Sequence, residues 1–450
     1  MSLWRKSAGY AIGRGIASAI VFLLLPLLTR LMSPEQFGTW QALSFWAAMV
    51  MVFVQLGVDQ ALFRFYVLDE QKQGKFLFAS FTVLLILSIL TVIVVWFTRG
   101  LLARIILDDS AGSMLIFFTA LWGVTDGTFF TLAALFQAQE RIRMFVIADL
   151  MRTAFGYGFA IILLVKGFGV HGVVASWIAA GFISIILFLP ELFRRCKFSL
   201  ENDVFLPMLR YGVPLAISMF VIKIFGMSDR WLLAKLQDFS TAGAYSAAIK
   251  IAGIVAMAIV PIRYAWVARM FHMQRENTLV KKLPIIWRQL SGGMAIIAIL
   301  VILLSPEIFR IMVAPGYEAG VKVIPILALA YFLDSLVLLA DAGIYTTGKT
   351  IFVPIFTGFA AVLNISLNIF LIPRFGIIGA AWAALAAYAV LLFLGWKMGQ
   401  FLMPVDIPYG KVLASIFAVI AATIAASSIS NLAIRILTML VLCLAVVFTS

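Results

Sequence analysis

Asn364-Ile-Ser-Leu-Asn368-Ile-Phe-Leu-Ile-Pro373-Arg374-Phe375-Gly376-Ile-Ile-Gly379-Ala-Ala-Trp-Ala-Ala is an apolar run that descends to a Pro-Arg break. It turns on two glycines and enters a second, alanine-rich apolar run. The same construction stands 207 residues earlier as Leu163-Leu-Val-Lys166-Gly-Phe168-Gly169-Val-His-Gly172-Val-Val-Ala-Ser-Trp-Ile-Ala-Ala. Each copy sets Phe-Gly-x-x-Gly between two long hydrophobic segments. Two further echoes keep the order at offsets of 205 to 208. Leu31 precedes Gly38-Thr-Trp40 as Leu236 precedes Gly243-Ala-Tyr245, and Ala120-Leu121 precedes Asp126 as Ala328-Leu329 precedes Asp334. The chain reads as two copies of one unit, joined so that a site can lie between them.

The segments around these motifs decide the solvent. Hydrophobic residues make up 64% of the 450, charged residues only 12%, and the mean hydropathy is +1.10. A soluble chain of this length would expose far more charge. Apolar stretches of about 20 residues recur from end to end, each long enough to cross a bilayer as a helix. They are continuous rather than alternating, which excludes a porin-like barrel. The first is too long, and its Arg14 too central, for a cleaved signal peptide. Cys196 and Cys443 are far apart at no metal-ligand spacing, so neither a disulfide framework nor a metal site is expected.

About fourteen spans are predicted. Six lie near 8–29, 39–58, 76–98, 113–136, 145–165 and 171–190, and a polar stretch from Glu191 to Arg210 closes that half. Six more lie near 211–229, 244–264, 283–304, 320–345, 350–371 and 376–397. Two, near 410–427 and 432–448, look appended. The expected architecture is all-α integral membrane: an N-lobe over 1–200, a C-lobe over 201–403 and two appended spans over 404–450. The lobes enclose a central cavity. Six spans per lobe is an even number, so both copies enter the membrane in the same sense, the parallel-repeat arrangement.

With the N-terminus inside, the inward ends hold 20 Lys and Arg, Arg263 counted among them, and the outward ends hold 9. The positive-inside rule then puts both termini in the cytosol. The net charge of +14 follows mostly from this topology, and nucleic acid is not an expected partner.

Charges inside the spans are the candidate working residues, because a mid-bilayer charge costs about 3 kcal/mol on insertion scales. Arg14, Arg152, Lys223, Lys250 and Arg435 are the cations; Asp126, Asp149, Asp334 and Asp341 are the acids, with Asp59 and Asp229 near span ends. The cations either line a wet cavity that receives an anionic substrate, or they form structural ion pairs and snorkel. Asp149 and Arg152, three apart, share a helix face and can neutralise each other. Arg435, near a terminus of the last span, is expected to snorkel. Arg14, Lys223 and Lys250 have no evident acid on the same face and are the leading cavity candidates, with Arg152 beside them. Lys223 has Arg230 seven residues on, a like charge that Asp229 can relieve. Asp334 and Asp341, seven apart, fall on one face of the tenth span. Pairing with cavity cations, relaying a proton and binding a coupling cation are the roles open to them, and Asp126 and Asp229 join them as charge-pairing groups. Asn364 and Asn368, at i and i+4, suit helix packing. His171 and His272 fall in loops, which gives a histidine relay little support. No Ser-His-Asp set, paired-cysteine site or phosphate loop is visible, and no extramembrane segment exceeds about twenty residues. Nothing points to an enzyme.

Four stretches together resemble the bacterial oligosaccharide-lipid flippases, the polysaccharide transporter branch of the multidrug/oligosaccharidyl-lipid/polysaccharide exporter superfamily. They are Leu28-Thr29-Arg30-Leu31-Met-Ser33-Pro34-Glu35-Gln-Phe37-Gly38; Ser228-Asp229-Arg230-Trp-Leu232 with Ala242-Gly243-Ala-Tyr245-Ser246-Ala-Ala-Ile-Lys250; Gln137-Ala-Gln139-Glu140-Arg141; and the stretch from Asn364 to Gly379. The resemblance spans essentially the whole chain. It implies a two-lobed exporter in the bacterial cytoplasmic membrane that flips a polyprenyl-diphosphate-linked glycan to the outer leaflet. No cofactor is expected; H+ or Na+ is the candidate coupling ion, and uncoupled facilitation is the alternative. Membrane lipid, the lipid-linked glycan, and a polysaccharide polymerase with other assembly proteins are the implied partners. It transfers no substrate site, since family members vary in which cavity residues are charged. A drug/cation antiporter of the same superfamily should favour an acidic, aromatic pocket. A membrane glycosyl polymerase or ligase should carry a large outward loop, and the longest here is about Arg99 to Gly112.

Overall fold

The computed structural model describes residues 19–198, 201–429 and 431–449, and every regular element in them is helical. Helices α1 (Leu25–Leu31), α2 (Pro34–Gln55) and α3 (Val58–Leu68) open the described chain. Next come α4 (Gln73–Leu107), α5 (Ser113–Ala138), α6 (Ile142–Val165) and α7 (Gly169–Arg195). The middle of the chain holds α8 (Asn202–Leu236), α9 (Phe239–Arg275), α10 (Leu279–Leu303) and α11 (Ser305–Met312). After a 3₁₀ turn at Glu318–Val323 come α12 (Ile324–Ala340), α13 (Ala342–Thr346), α14 (Phe352–Leu402), α15 (Tyr409–Ser428) and α16 (Leu432–Thr449).

Eleven of these stretches are long and apolar enough to cross a membrane, and α16 adds a shorter apolar helix. One of the eleven, α14, runs 51 residues and contains a kink at Gly376, so it is two spans joined at the Phe-Gly break. The first half of the expected first span, residues 8–18, lies outside the described residues. Several helices outrun their expected spans. The expected span over 244–264 is exceeded by α9, which continues to Arg275. Likewise α8 begins at Asn202, inside the stretch read as a polar linker.

The helices start where the chain supplies caps. Ser33 accepts the Gln36 amide while Gln36 reaches back to the Ser33 amide, a capping box that starts α2 with Pro34 in its first turn. Asp238, 205 residues later, accepts the Thr241 amide and starts α9. The repeat read from Gly38 and Gly243 therefore begins at equivalent caps. It also holds at the Phe-Gly breaks, where Gly169 and Gly376 have φ of 53° and 54°. A Cβ on Gly172 would lie 2.8 Å from Leu163 Cβ, and one on Gly379 2.5 Å from the Leu371 carbonyl oxygen. Both breaks fold back tightly on the preceding helix, which is why each needs its second glycine.

The chain divides into two compact units, Leu31–Lys235 and Met1–Arg30 with Leu236–Ser450. Within the first, α5 is the central helix, packed by α2, α3, α4, α6 and α7. Gly123 and Gly127 let it approach α2: a Cβ on Gly123 would sit 2.6 Å from the Ala47 carbonyl oxygen. This is the small-residue packing that helices use in lipid, where no hydrophobic drive draws them together. Within the second unit, α12 is central, packed by α9, α10, α14 and α15. Gly395 and Gly399 bring α14 against the end of α12. The central helices α5 and α12 are the repeat-related ones, and each carries one of the echoed aspartates.

Candidate functional site

Each echoed aspartate meets an arginine from a neighbouring helix. In the first unit, Asp126 of α5 accepts the Trp122 indole N–H at 3.0 Å and an Arg152 guanidinium N–H from α6. Asp126 is 9% exposed and Arg152 6%. The guanidinium carbon lies 5.4, 5.2 and 4.9 Å from the ring centres of Phe129, Phe130 and Trp177. Trp177 in turn stacks on Trp122 at 5.6 Å. Gly156 makes room for it, since a Cβ there would lie 2.8 Å from the Trp177 ring. The aromatic walls and the carboxylate together hold a cation that lipid could not, although the buried Arg152 Nε has no hydrogen-bond partner among the described residues. Lys223, part-buried on α8, acts electrostatically on the same carboxylate.

In the second unit, Arg263 of α9 donates to Asp334 of α12 at 3.2 Å. Its side chain is 49% exposed and that of Asp334 22%. Asp341 occupies the break between α12 and α13, and both Arg263 and Asp334 act on it electrostatically. Gly395 leaves space for that carboxylate: a Cβ there would lie 2.5 Å from Asp341 Oδ1. Asp126 thus answers to two cations, Arg152 and Lys223, whereas Arg263 answers to two carboxylates. The repeat preserves the aspartate on the central helix but recruits the arginine from different helices.

The remaining expected residues are placed as follows. Arg14 lies outside the described residues. Lys250 is part-buried on α9, thirteen residues before Arg263, and is engaged by its neighbours. Asp229 is buried on α8 and accepts the Arg230 amide at 2.9 Å. Asp59 is joined by the side chain of Gln60 at 2.9 Å. Asn368 donates to Asn364 at 3.0 Å, both side chains buried.

Two readings need correction, and a third residue gains a partner. Arg152 is held by Asp126 on α5, not by Asp149 one turn away as the i, i+3 spacing suggested, although Asp149 has contacts of its own. Arg435 does not snorkel: it is 6% exposed and pairs with Glu307 at 2.9 Å, donating also to the Leu303 carbonyl. Arg263, counted among the inward span ends, pairs with Asp334 of α12, a partner that the charge count did not give it. The available signal was Pro261, which marks a helix interior only when the helix is known to continue.

At the loop face of the first unit, Lys72 and Lys75 pair with Asp203 and Glu201 at 2.6 and 2.5 Å. The hydrogen bond to Asp203 holds the exposed Lys72 ammonium above its ordinary pKa range. The Lys197 amide donates to the Gly74 carbonyl at 3.1 Å, so the segment after α7 is fastened to the start of α4.

Comparisons with known proteins bear on the fold and the family. The fold is similar to a lipid II flippase, MurJ, in an inward closed conformation, with a TM-score of 0.75 at 14% identity over 97% of each chain. It is also similar to an inward-facing multidrug resistance MATE family transporter of the MOP superfamily: TM-score 0.69, 15% identity, 89% of this chain and 94% of the other. The MATE transporter ClbM in complex with Rb+ matches at 0.60 and 16% identity, over 92% and 97%. At these identities the likeness establishes the fold. No curated protein matches the sequence. The model of one family, described as polysaccharide biosynthesis protein, matches residues 27–283, more than half of the chain. With its helices, its repeated break and that match, the chain belongs to the polysaccharide biosynthesis protein family.

Proposed function

We propose that the protein is a flippase that moves a polyprenyl-diphosphate-linked oligosaccharide from the cytosolic to the outer leaflet of the bacterial inner membrane, supplying surface polysaccharide assembly. The observation that carries this reading is the unlike charge of the two clusters on a family frame of polysaccharide biosynthesis. Moving a diphosphate and several hydroxyls through hydrocarbon is prohibitive without a polar path. Cations at membrane depth supply one, through charge-assisted hydrogen bonds. Of the two cations on Asp126, Lys223 is the less buried. In this reading Arg152 holds Asp126 in place and Lys223 meets the diphosphate, while Lys250 and Arg14 keep the substrate-binding role read from the sequence. Access alternates between the two faces while the lipid tail stays in the bilayer.

Asp334 and Asp341 take the coupling role, with H+ or Na+ as the coupling ion. Two carboxylates facing one half-exposed arginine suit a site that gains and loses a cation, and Arg263 would sense which state it is in. The same acidic cluster favours the second reading, a drug/cation antiporter. A polysaccharide polymerase and other assembly proteins would receive the flipped glycan.

The deciding experiment uses proteoliposomes loaded with radiolabelled polyprenyl-diphosphate sugar on one leaflet, read by access of an impermeant enzyme to the other. Lipid translocation that falls at least about tenfold in Lys223→Gln is expected, the loss of one charge-assisted contact of roughly 1.5–3 kcal/mol. Efflux of an organic cation without lipid translocation would sink the flippase reading and leave the antiporter.

A further inference from the structure

The turn between α9 and α10 carries an unneutralised cationic surface that the transport reading does not use. The α9 helix is 37 residues long, about 55 Å at 1.5 Å per residue, so it overruns a hydrocarbon core of about 30 Å. Its last turns and the first turns of α10 form a hairpin. From Tyr264 to Arg288 this segment holds Arg269, Arg275, Lys281, Lys282 and Arg288 against one acid, Glu276. Arg269, Arg275, Lys281 and Lys282 are exposed, and among the described residues none of the four has an ion pair.

This surface is rigidly presented. Trp266, Met270, Met273, Leu279, Leu283 and Trp287 are buried beneath it. The turn is closed by Asn277 at φ 56°, with the Thr278 amide donating to the Met273 carbonyl at 2.9 Å. Gln274 Nε2 donates to the Thr346 carbonyl at 2.9 Å, which ties the hairpin to the end of α13. The loop face of the first unit is different: there Lys72 and Lys75 are neutralised by Asp203 and Glu201.

Apolar side chains stand exposed between these cations. Phe271 and Arg275 are one helical turn apart on α9, and Lys281 and Ile285 one turn apart on α10. Phe271, Val280 and Ile285 are 47%, 49% and 49% exposed. A site for an acidic protein or a free anion would not require bare hydrophobics beside each charge. A headgroup layer does: it takes the apolar groups below the phosphates and the cations among them. We infer that the α9–α10 hairpin docks on anionic phospholipid headgroups, anchoring the helix that carries Arg263 at the membrane surface. The inference depends on the membrane fold and not on the transported substrate.

The test places a spin label at Asn277→Cys in a Cys196→Ser, Cys443→Ser background. The full protein goes into vesicles of phosphatidylcholine with or without phosphatidylglycerol. The readout is the ratio of collision rates with oxygen and with a water-soluble nickel chelate, which reports depth. A severalfold higher ratio with phosphatidylglycerol is expected, lost in high salt and in the Arg269→Gln, Arg275→Gln, Lys281→Gln, Lys282→Gln variant. Should that variant fail to fold, the salt and lipid comparisons on the unaltered surface decide alone. A label equally immersed in water in both vesicles overturns the inference. So does a label shielded by poly-glutamate but not by phosphatidylglycerol, which would reassign the surface to an acidic protein.

Discussion

Asp126 and Arg152 show what a charge inside the membrane requires. Removing one partner of a buried pair leaves the other uncompensated and costs about 3–5 kcal/mol. Removing both leaves neutral side chains and a smaller loss. Asp126→Asn and Arg152→Gln should each lower the thermal unfolding midpoint in detergent, and the double variant should be more stable than the sum of the two losses predicts. Strict additivity would mean the pair is not coupled. Lys223→Gln, by contrast, should lower the midpoint less than either single variant, because Asp126 keeps the buried Arg152 as its partner. The sequence showed these residues as intramembrane charges but not their partners. Spacing along one helix is all that a sequence displays, so it offered Asp149 to Arg152 while the aromatic cage and Asp126 came from elsewhere in the fold. Arg263 was hidden for a related reason: basic residues continue beyond it, so it looked like the first charge of a loop.

At the scale of elements, glycine positions make the sharper forecast. Gly376 has φ 54° and ψ −133°, yet a Cβ there would meet only Gln237 Oε1, at 3.9 Å. Gly376→Ala should therefore show backbone strain alone, about 1–3 kcal/mol. Gly57 has φ 73° and its Cβ would collide with the Gly212 backbone. Gly57→Ala should add that clash to the strain and deplete folded protein in the membrane far more than Gly376→Ala. Equal membrane abundance of the two variants would show that the Gly57–Gly212 approach is not a fixed contact. The Phe-Gly-x-x-Gly breaks were legible because a turn between two apolar runs leaves glycine and proline as its marks. Helix ends were not. Hydropathy falls where α9 leaves the hydrocarbon, although the helix itself runs on to Arg275, and nothing in composition separates a helical extension from a loop.

For the whole molecule, the apolar runs and the repeat made the helical membrane fold readable, because both are written in the order of residues. The charge bias still makes a direct forecast. A reporter fused after Ser450, or placed in the 191–210 segment, should report cytosol, and one within 99–112 should report the outside. An outward signal near residue 200 would break the even-span argument for a parallel repeat. Coupling belongs to this scale too, because an ion gradient acts across the membrane. Asp334 and Asp341 share Arg263, so neutralising either carboxylate leaves the arginine a partner and the fold intact. Asp334→Asn and Asp341→Asn should then keep normal membrane abundance while transport in proteoliposomes loses its dependence on the ion gradient. A structural pair would behave in the opposite way: abundance would fall, and whatever protein remained would respond to the gradient as before. Arg263→Gln separates the two further. It leaves two carboxylates facing each other without a cation, so it should shift the gradient dependence and not erase it. Full loss of folded protein in Arg263→Gln, with unchanged coupling in both aspartate variants, would assign the cluster to stability alone.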